Sequence, residues 1–494
     1  MSRGRRRTVG DGNREAAVVG SGPNGLAAAV TLARAGLRVT VYEAADTLGG
    51  GLRQARLFDS AIGHDVCAAV HPMAGAARFF REFDLAARGV ELLRPELSYA
   101  HPLDGGRAAL AWHDLDATCA GLGPDGPRWR RLMAPLLARS RDVTDLLLSG
   151  MRGTTGLPAG PLLAARALRL GTPGAHRAFR GEEAAALFAG AAAHAMGPLP
   201  SLPGAAVGLL LAHLAHGQAG WPVPRGGSHR IARALVDDLE AHGGRILTGH
   251  RVTDLGQLAP ARTILLDISP RALLELARPA LPPGYARALS RYRYGPAAGK
   301  ADFLVSDPIP WRARPVGRAG TVHLGGTAPE IFAQESANAA GRSGERPFVL
   351  VVDPAVTDPG RALPGKRPIW AYAHLPPGDR RDPLPLIRDA IERYAPGFRD
   401  TVLAGRGIPG TAYEAYNPNY VGGDIGTGAI TLRQSLARPV PRWDPYRTPL
   451  PGVYLCSAAT PPGPSVHGMS GWLAARSALR REHRLPPPAL GPLR

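Results

Sequence analysis

The chain has 494 residues, with 59 Lys+Arg against 40 Asp+Glu, a formal charge of +19 and 45% apolar content. That composition excludes a disordered low-complexity chain, and the length allows a large core and more than one lobe. Only Lys300 and Lys366 are lysines, and the arginines are scattered instead of clustered. The charge therefore reads as a compositional bias and not as a nucleic-acid footprint. Cys67, Cys119 and Cys456 lie far apart, which excludes a disulfide scaffold, a zinc ribbon or a dithiol centre and suggests a reducing, cytoplasmic setting.

Residues 1–14 read as a disordered basic tail: Arg5-Arg6-Arg7 is followed by polar residues and not by the apolar stretch of an export signal. Glu15 to Gly20 reads as a buried strand, Gly25 to Ala35 as a helix closed by Gly36, and Leu37 to Tyr42 as a second strand. Helices are expected over Pro72–Leu85, Arg128–Leu148, Leu162–Leu170 and Gly181–Ala195. From Ala184 to Pro224 there is no Asp, Glu, Lys or Arg. Pro198, Pro200 and Pro203 split that block below the roughly 20 residues a membrane span needs, so it reads as a buried helical pair, with the lining of an apolar tunnel or a shallow membrane-dipping patch as the sharper alternatives. A fresh α/β signal follows, with a helix His229–His242 and strands at Arg245–Thr248, His250–Asp254 and Thr263–Asp267. Alternation from Tyr292 to about Asp353 suggests sheet, Asp382–Tyr394 a helix, and the last segment runs strand Gly452–Cys456, Gly/Pro loop, helix Met469–Arg480 and Pro-rich tail.

The chemistry concentrates in Gly20-Ser-Gly22-Pro23-Asn24-Gly25, which follows a strand and opens a helix, with Glu43 ending the next strand 18 residues on. Gly20 makes the tight turn, Gly22 lets backbone N–H groups approach a pyrophosphate, and Gly25 allows close helix packing. The helix N-terminus adds partial positive charge, and Glu43 suits a ribose without a 2′-phosphate. The continuation Ala44 to Arg53, with Gly49 and Gly50, and the distant segment Gly452–Gly471 select FAD over NAD. A flavin stretched across the fold needs such a second binding stretch.

These segments resemble the FAD-dependent phytoene dehydrogenase-like oxidoreductases, related to carotenoid desaturases and flavin amine oxidases. They are most like the subgroup containing pyridine nucleotide-disulfide oxidoreductase domain-containing protein 2. The resemblance runs from about Ala16 to Leu479 and includes LGGGLR, HDVCAAVHP (64–72), GWPVPRGGSHRIARAL (220–235), NPNYVGGDI (417–425) and YLCSAATPPGPSVHGMSGWLAAR (454–476). It implies FAD contacts at Gly20, Gly22, Pro23, Asn24, Gly25, Glu43, Ala44, Gly50, Arg53, Val252 and Ser457, with Gly468 and Met469 where a last helix points at the flavin pyrimidine edge. Cys456-Ser457 stands where many relatives have an acidic residue, and Pro464 where most have Gly. The implied fold is α/β: a discontinuous Rossmann-like FAD domain (15–100, 221–290, 441–484), an inserted α+β substrate domain with a helical lobe (101–220, 291–440), and a tail at 485–494.

Lys300, in a strand-like Gly-Lys-Ala-Asp-Phe-Leu, is similar to the strand lysine of flavin amine oxidases that reaches flavin N5 through a water, and is a catalytic candidate with a surface lysine as the plain alternative. His467 is a second candidate, although structural hydrogen bonding is the favoured role for it and for His64. His213 and His216 lack a third ligand, so no metal is expected. The expected activity is hydride transfer from an apolar, polyene- or lipid-like substrate to flavin N5, with a quinone, O₂ or another acceptor downstream and loose contact with anionic lipid allowed. The alternatives are an amine oxidase-like enzyme on a polar small molecule and a FAD-stabilised interaction protein with little turnover.

Overall fold

A computed structural model of the chain describes residues 14–149, 156–217, 219–344 and 346–492; the Arg5–Arg7 run lies outside the described residues. The strand Glu15–Val19 sits in the middle of a five-stranded parallel sheet ordered Val453–Leu455, Thr263–Leu266, Glu15–Val19, Arg38–Tyr42, Arg245–Leu247. Its central strands are nearly continuous apolar runs because helices cover both faces. On one face the helix Pro23–Arg34 packs against the last helix, Met469–Ala478. Glycine makes that contact possible: a Cβ on Gly471 would stand 1.8 Å from the Asn24 carbonyl oxygen.

The second sheet has seven strands, ordered Val402–Ile408, Ala297–Val305, Arg367–Leu375, Val349–Val352, Ala319–Leu324, Leu97–Pro102, Ala108–Trp112. It is antiparallel except where Ala319–Leu324 runs parallel to Leu97–Pro102. One face is apolar: Ala301, Phe303, Val351, Ile369 and Ala371 share a core with Ile387 and Ile391 of the helix Pro383–Tyr394. The other face is polar and aromatic although it too is buried. The pairings Lys300↔Tyr372, Tyr372↔Leu350, Leu350↔His323 make one row across it, and Asp302↔Trp370, Trp370↔Val352 begin the next. Thr321 and Tyr99 are paired further along the same face.

The uncharged block folds as the helices Glu182–Ala193 and Leu202–Ala215, packed on each other. Ser201 caps the second by accepting from the Gly204 N–H. Both are apolar around nearly their whole circumference, as helices inside a core are. Among the described residues no helix is long and apolar enough to cross a membrane.

Several expectations need correction. Residues 250–254 form no strand: His250 donates its N–H to the Glu43 carbonyl oxygen and the segment then leaves the sheet, so it has no ladder to join. The helices expected over 72–85 and 128–148 each break in two, at Ala77, which is extended, and at Arg139. A boundary at residue 100 falls inside the strand Leu97–Pro102, which is wholly part of the seven-stranded sheet. The Pro-rich tail is held: Arg34 donates to the carbonyls of Ala489 and Gly491, Arg88 to that of Leu490, and both guanidiniums bind the buried Asp238.

Candidate cofactor and substrate cavity

A cavity of about 1310 Å³ runs from the carboxyl ends of the parallel strands to the polar face of the seven-stranded sheet and on to the uncharged helices. Such an opening at the carboxyl ends of parallel strands is where α/β sheets bind ligands. At this end it is lined by Gly20, Gly22, Pro23, Asn24, Glu43, Ala44, Gly50, Arg53, Val252 and Ser457. Gly20 has φ +97°, a conformation that side chains rarely adopt. Gly25 is not in the wall; a Cβ there would lie 2.1 Å from the Gly20 carbonyl oxygen, so it serves close packing of the helix on the turn. Glu43 accepts from the N–H of Ser21 (2.9 Å) and of Ala45 (2.9 Å) and from the Ser21 hydroxyl (2.5 Å), which fixes its carboxylate at the strand end. Arg53 donates to the carbonyls of Gly50 and Tyr416 and stacks on the Tyr416 ring.

Sequence reasoning missed Asp267, at the end of Thr263–Leu266. Its carboxylate accepts from the Gly25 N–H at 3.0 Å, and a Cβ on Gly22 would meet it at 2.6 Å. Burial, with Glu43 adding in the same direction and the Gly25 N–H opposing, pushes this carboxyl up to about 7.

At the far end the wall is made by Pro461, Pro462, Pro464, Ser465 and Val466. Ser465 sits at φ +117° directly after Pro464, so this stretch takes a backbone that side chains other than glycine rarely adopt. Gly468 and Met469 are not in the wall. Gly468 caps the last helix at φ +66° against Phe79, and Met469 donates its N–H to His467 Nδ1 at 3.0 Å. His467 hydrogen-bonds the Gly463 carbonyl through Nε2 (2.9 Å), so both ring nitrogens brace the loop. It is fully buried and absent from the cavity wall, and with both ring nitrogens engaged its role in the structure is to position the loop.

Lys300 is neither on the surface nor in the wall. Its ammonium is fully buried, donates to Asp302 and lies 5.3 Å from the centre of the Trp370 ring, which does line the cavity. His64 approaches the same Asp302 at 3.7 Å. Beside this row stands a cluster of imidazoles that the sequence did not single out. His194 lines the cavity and shares a proton with His323 across 3.0 Å (Nε2 to Nε2). His101 is held on the Gly326 carbonyl (2.7 Å), and His374 on Glu335 (2.9 Å). Burial pushes His194 down to about 3 and His101 to about 4, so these two rings are neutral near neutral pH. A period-2 run of polar residues was visible in Thr321/His323 and Trp370/Tyr372/His374, but alternation does not say which face is buried.

The glycines leave the turn open where a pyrophosphate would lie, with the Asp267 carboxyl beside it, Glu43 stands at the ribose position, and Asn24 Oδ1 is buried with no protein partner. The residues present fit FAD. A parallel dinucleotide sheet, this glycine cradle and a second loop closing the other end define a flavin-dependent oxidoreductase. The chain matches the profile of the flavin containing amine oxidoreductases over residues 24–363 and belongs to that family. FAD is its cofactor. It is 26% identical to pyridine nucleotide-disulfide oxidoreductase domain-containing protein 2 of Rattus norvegicus, over 94% of this chain and 93% of that protein. It is also 26% identical to the hydroxyneurosporene desaturase of Cereibacter sphaeroides, over 94% and 97%. A solved structure of putrescine oxidase bound to putrescine superposes with a TM-score of 0.58 at 15% identity, covering 94% of this chain and 98% of that one, a likeness of fold alone.

Proposed function

We propose that this oxidoreductase removes hydride from an apolar, polyene- or lipid-like substrate, introducing a carbon–carbon double bond. The observation that carries this reading is the substrate wall. The helical side presents Leu147, Leu157, Met196, Val207, Leu210 and Leu211, and among the described residues no charged side chain. The carboxylates that do line the cavity are committed elsewhere. Glu43 and Asp267 hold the glycine turn, Glu275 pairs with Arg271, and Asp424 accepts from the N–H groups of Gly295, Gly426 and Gly428. An ammonium substrate would enter with no counter-charge, a costly burial. The Trp370 ring that could receive it already has the Lys300 ammonium beside it. The 26%-identical desaturase supports the same substrate class.

Bound FAD supplies a two-electron, hydride-accepting oxidant. The chain's own task is to hold the substrate, exclude water and take the proton that leaves the neighbouring carbon as the double bond forms. His194 is the imidazole of the cluster that reaches the cavity, with its Nε2 hydrogen-bonded to His323; burial holds it neutral and disfavours a lasting imidazolium there. Replacing His194 with glutamine tests whether it takes that proton: an acceptor role slows anaerobic flavin reduction by about 10²–10⁴, the usual worth of a placed acid or base, and an unchanged rate removes His194 from the chemistry. Substrate enters past Leu157, Leu432 and Leu436, which are 54%, 54% and 59% exposed at the cavity lip. With the arginine excess, that lip suits transient contact with an anionic lipid surface.

The test is anaerobic mixing of the holoprotein with candidate substrates while flavin absorbance is followed. Bleaching by polyenes and not by amines is the expected result. Bleaching by amines alone would replace this reading with amine oxidation, and no bleaching by any reductant of either class would favour a non-catalytic role.

A further inference from the structure

We propose that Asp267 meets the FAD diphosphate as a neutral, proton-donating carboxyl, so that holding the cofactor requires a bound proton. The N-terminus of the helix Pro23–Arg34 and the turn before it are where a dinucleotide protein receives a pyrophosphate. Here the Gly25 N–H already donates to Asp267 Oδ2 at 3.0 Å, and the carboxyl lies within 2.6 Å of the Cβ position of Gly22. The carboxyl cannot swing away freely, because its backbone is tied on both sides. The Asp267 N–H donates to the Val19 carbonyl oxygen at 2.8 Å, and the Asp267 carbonyl accepts from Asn419 Nδ2 at 2.9 Å. A pyrophosphate therefore arrives beside a buried carboxyl held in place.

Each element packed around it leaves the proton as the means of neutralising that pair. The strand Arg38–Tyr42 brings Glu43, a second negative group. The strand Val453–Leu455 brings the buried Cys456 thiol and then Ser457, whose hydroxyl donates to the Ile268 carbonyl. The loop 417–420 brings the Asn419 amide. The helix Pro270–Ala277 brings Arg271, but its guanidinium is engaged by Glu414 and Glu275. Among the described residues no cation pairs with Asp267. Burial already raises this carboxyl to about 7 without the cofactor, and a neighbouring diphosphate moves it further in the same direction. The sign follows: below that value the neutral form is present before FAD binds, and above it each pH unit weakens FAD binding by up to about tenfold, until the carboxyl also ionises in the holoprotein.

Two measurements on the holoprotein test this. In infrared spectra at about pH 8, one pH unit above the cofactor-free value, the wild type should show a protonated-carboxyl carbonyl stretch that is missing in Asp267→Asn, with Asp267→Ser as the second variant should the first not fold. Release of FAD on dilution, read as recovered flavin fluorescence, should increase by about tenfold or more between about pH 6.5 and pH 8.5 in the wild type. It should be nearly flat in either variant. Absence of the infrared band in the wild type, an unchanged pH slope in the variants, or variants that fail to hold FAD even at about pH 6.5, where the wild type holds it, would each overturn the proposal; the last would mean that the ionised carboxylate is the useful form.

Discussion

Replacing Lys300 with methionine is expected to destabilise the holoprotein by about 3–5 kcal/mol, the usual cost of removing one partner of a buried ion pair. Methionine fills much of the same volume but leaves Asp302 fully buried with no cation. Asp302 Oδ2 already has no partner, and the nearest other nitrogen, His64 Nδ1, stands 3.7 Å away, beyond hydrogen-bond distance. A second change, Asp302→Asn, removes the stranded charge and should recover most of the loss in a double-mutant cycle by chemical denaturation. The pair also sets the field behind Trp370. If its role extends to the reaction, the double variant regains stability but keeps an altered rate of flavin reduction. A double variant with unchanged half-reactions confines Lys300 to the fold.

Replacing Gly471 with alanine is expected to have the second large effect. The added Cβ meets the Asn24 carbonyl oxygen at 1.8 Å and the Ala28 nitrogen at 3.0 Å, all backbone that no rotamer change can move. The first and last helices have to separate, at a cost of about 1–3 kcal/mol or more for overpacking. Asn24 belongs to the glycine cradle, so the displacement is transmitted to the pyrophosphate site. The expected result is protein purified with substoichiometric flavin and a lowered unfolding midpoint. Full flavin content in this variant would show that the two helices can part without disturbing the cradle.

What the chain revealed before folding and what it hid follow from the range of the interactions. The turn Gly20–Gly25, the acidic Glu43 and the helix between them lie within one βαβ unit, where local backbone requirements dictate residue type. The uncharged 184–224 block was legible as buried, since so long a run without charge is seldom left facing water, but not whether it packs in the core or lines a cavity; it does both. Asp267 was not legible: it meets Gly25 across 242 positions of sequence, and an aspartate after a short strand is ordinarily a turn residue. The polar face of the seven-stranded sheet was hidden for another reason. Lys300, Asp302, Thr321 and His323 alternate with apolar neighbours as in any half-exposed strand, and only the helices laid over that face show that it is buried. His467 sits in a motif expected beside the flavin, yet the left-handed turn at Gly468 needs an acceptor for the Met469 N–H, and the imidazole meets that need. Residues 250–254 carry a strand-like pattern without a neighbouring edge to pair with.

The most direct measurement is the absorbance spectrum of the purified 494-residue chain together with mass spectrometry of its released chromophore. The structure predicts a yellow protein that releases FAD in about one equivalent per chain, and a Glu43→Ala variant that carries substantially less. A colourless protein that takes up no FAD on reconstitution, or one that releases a different nucleotide, would contradict the account.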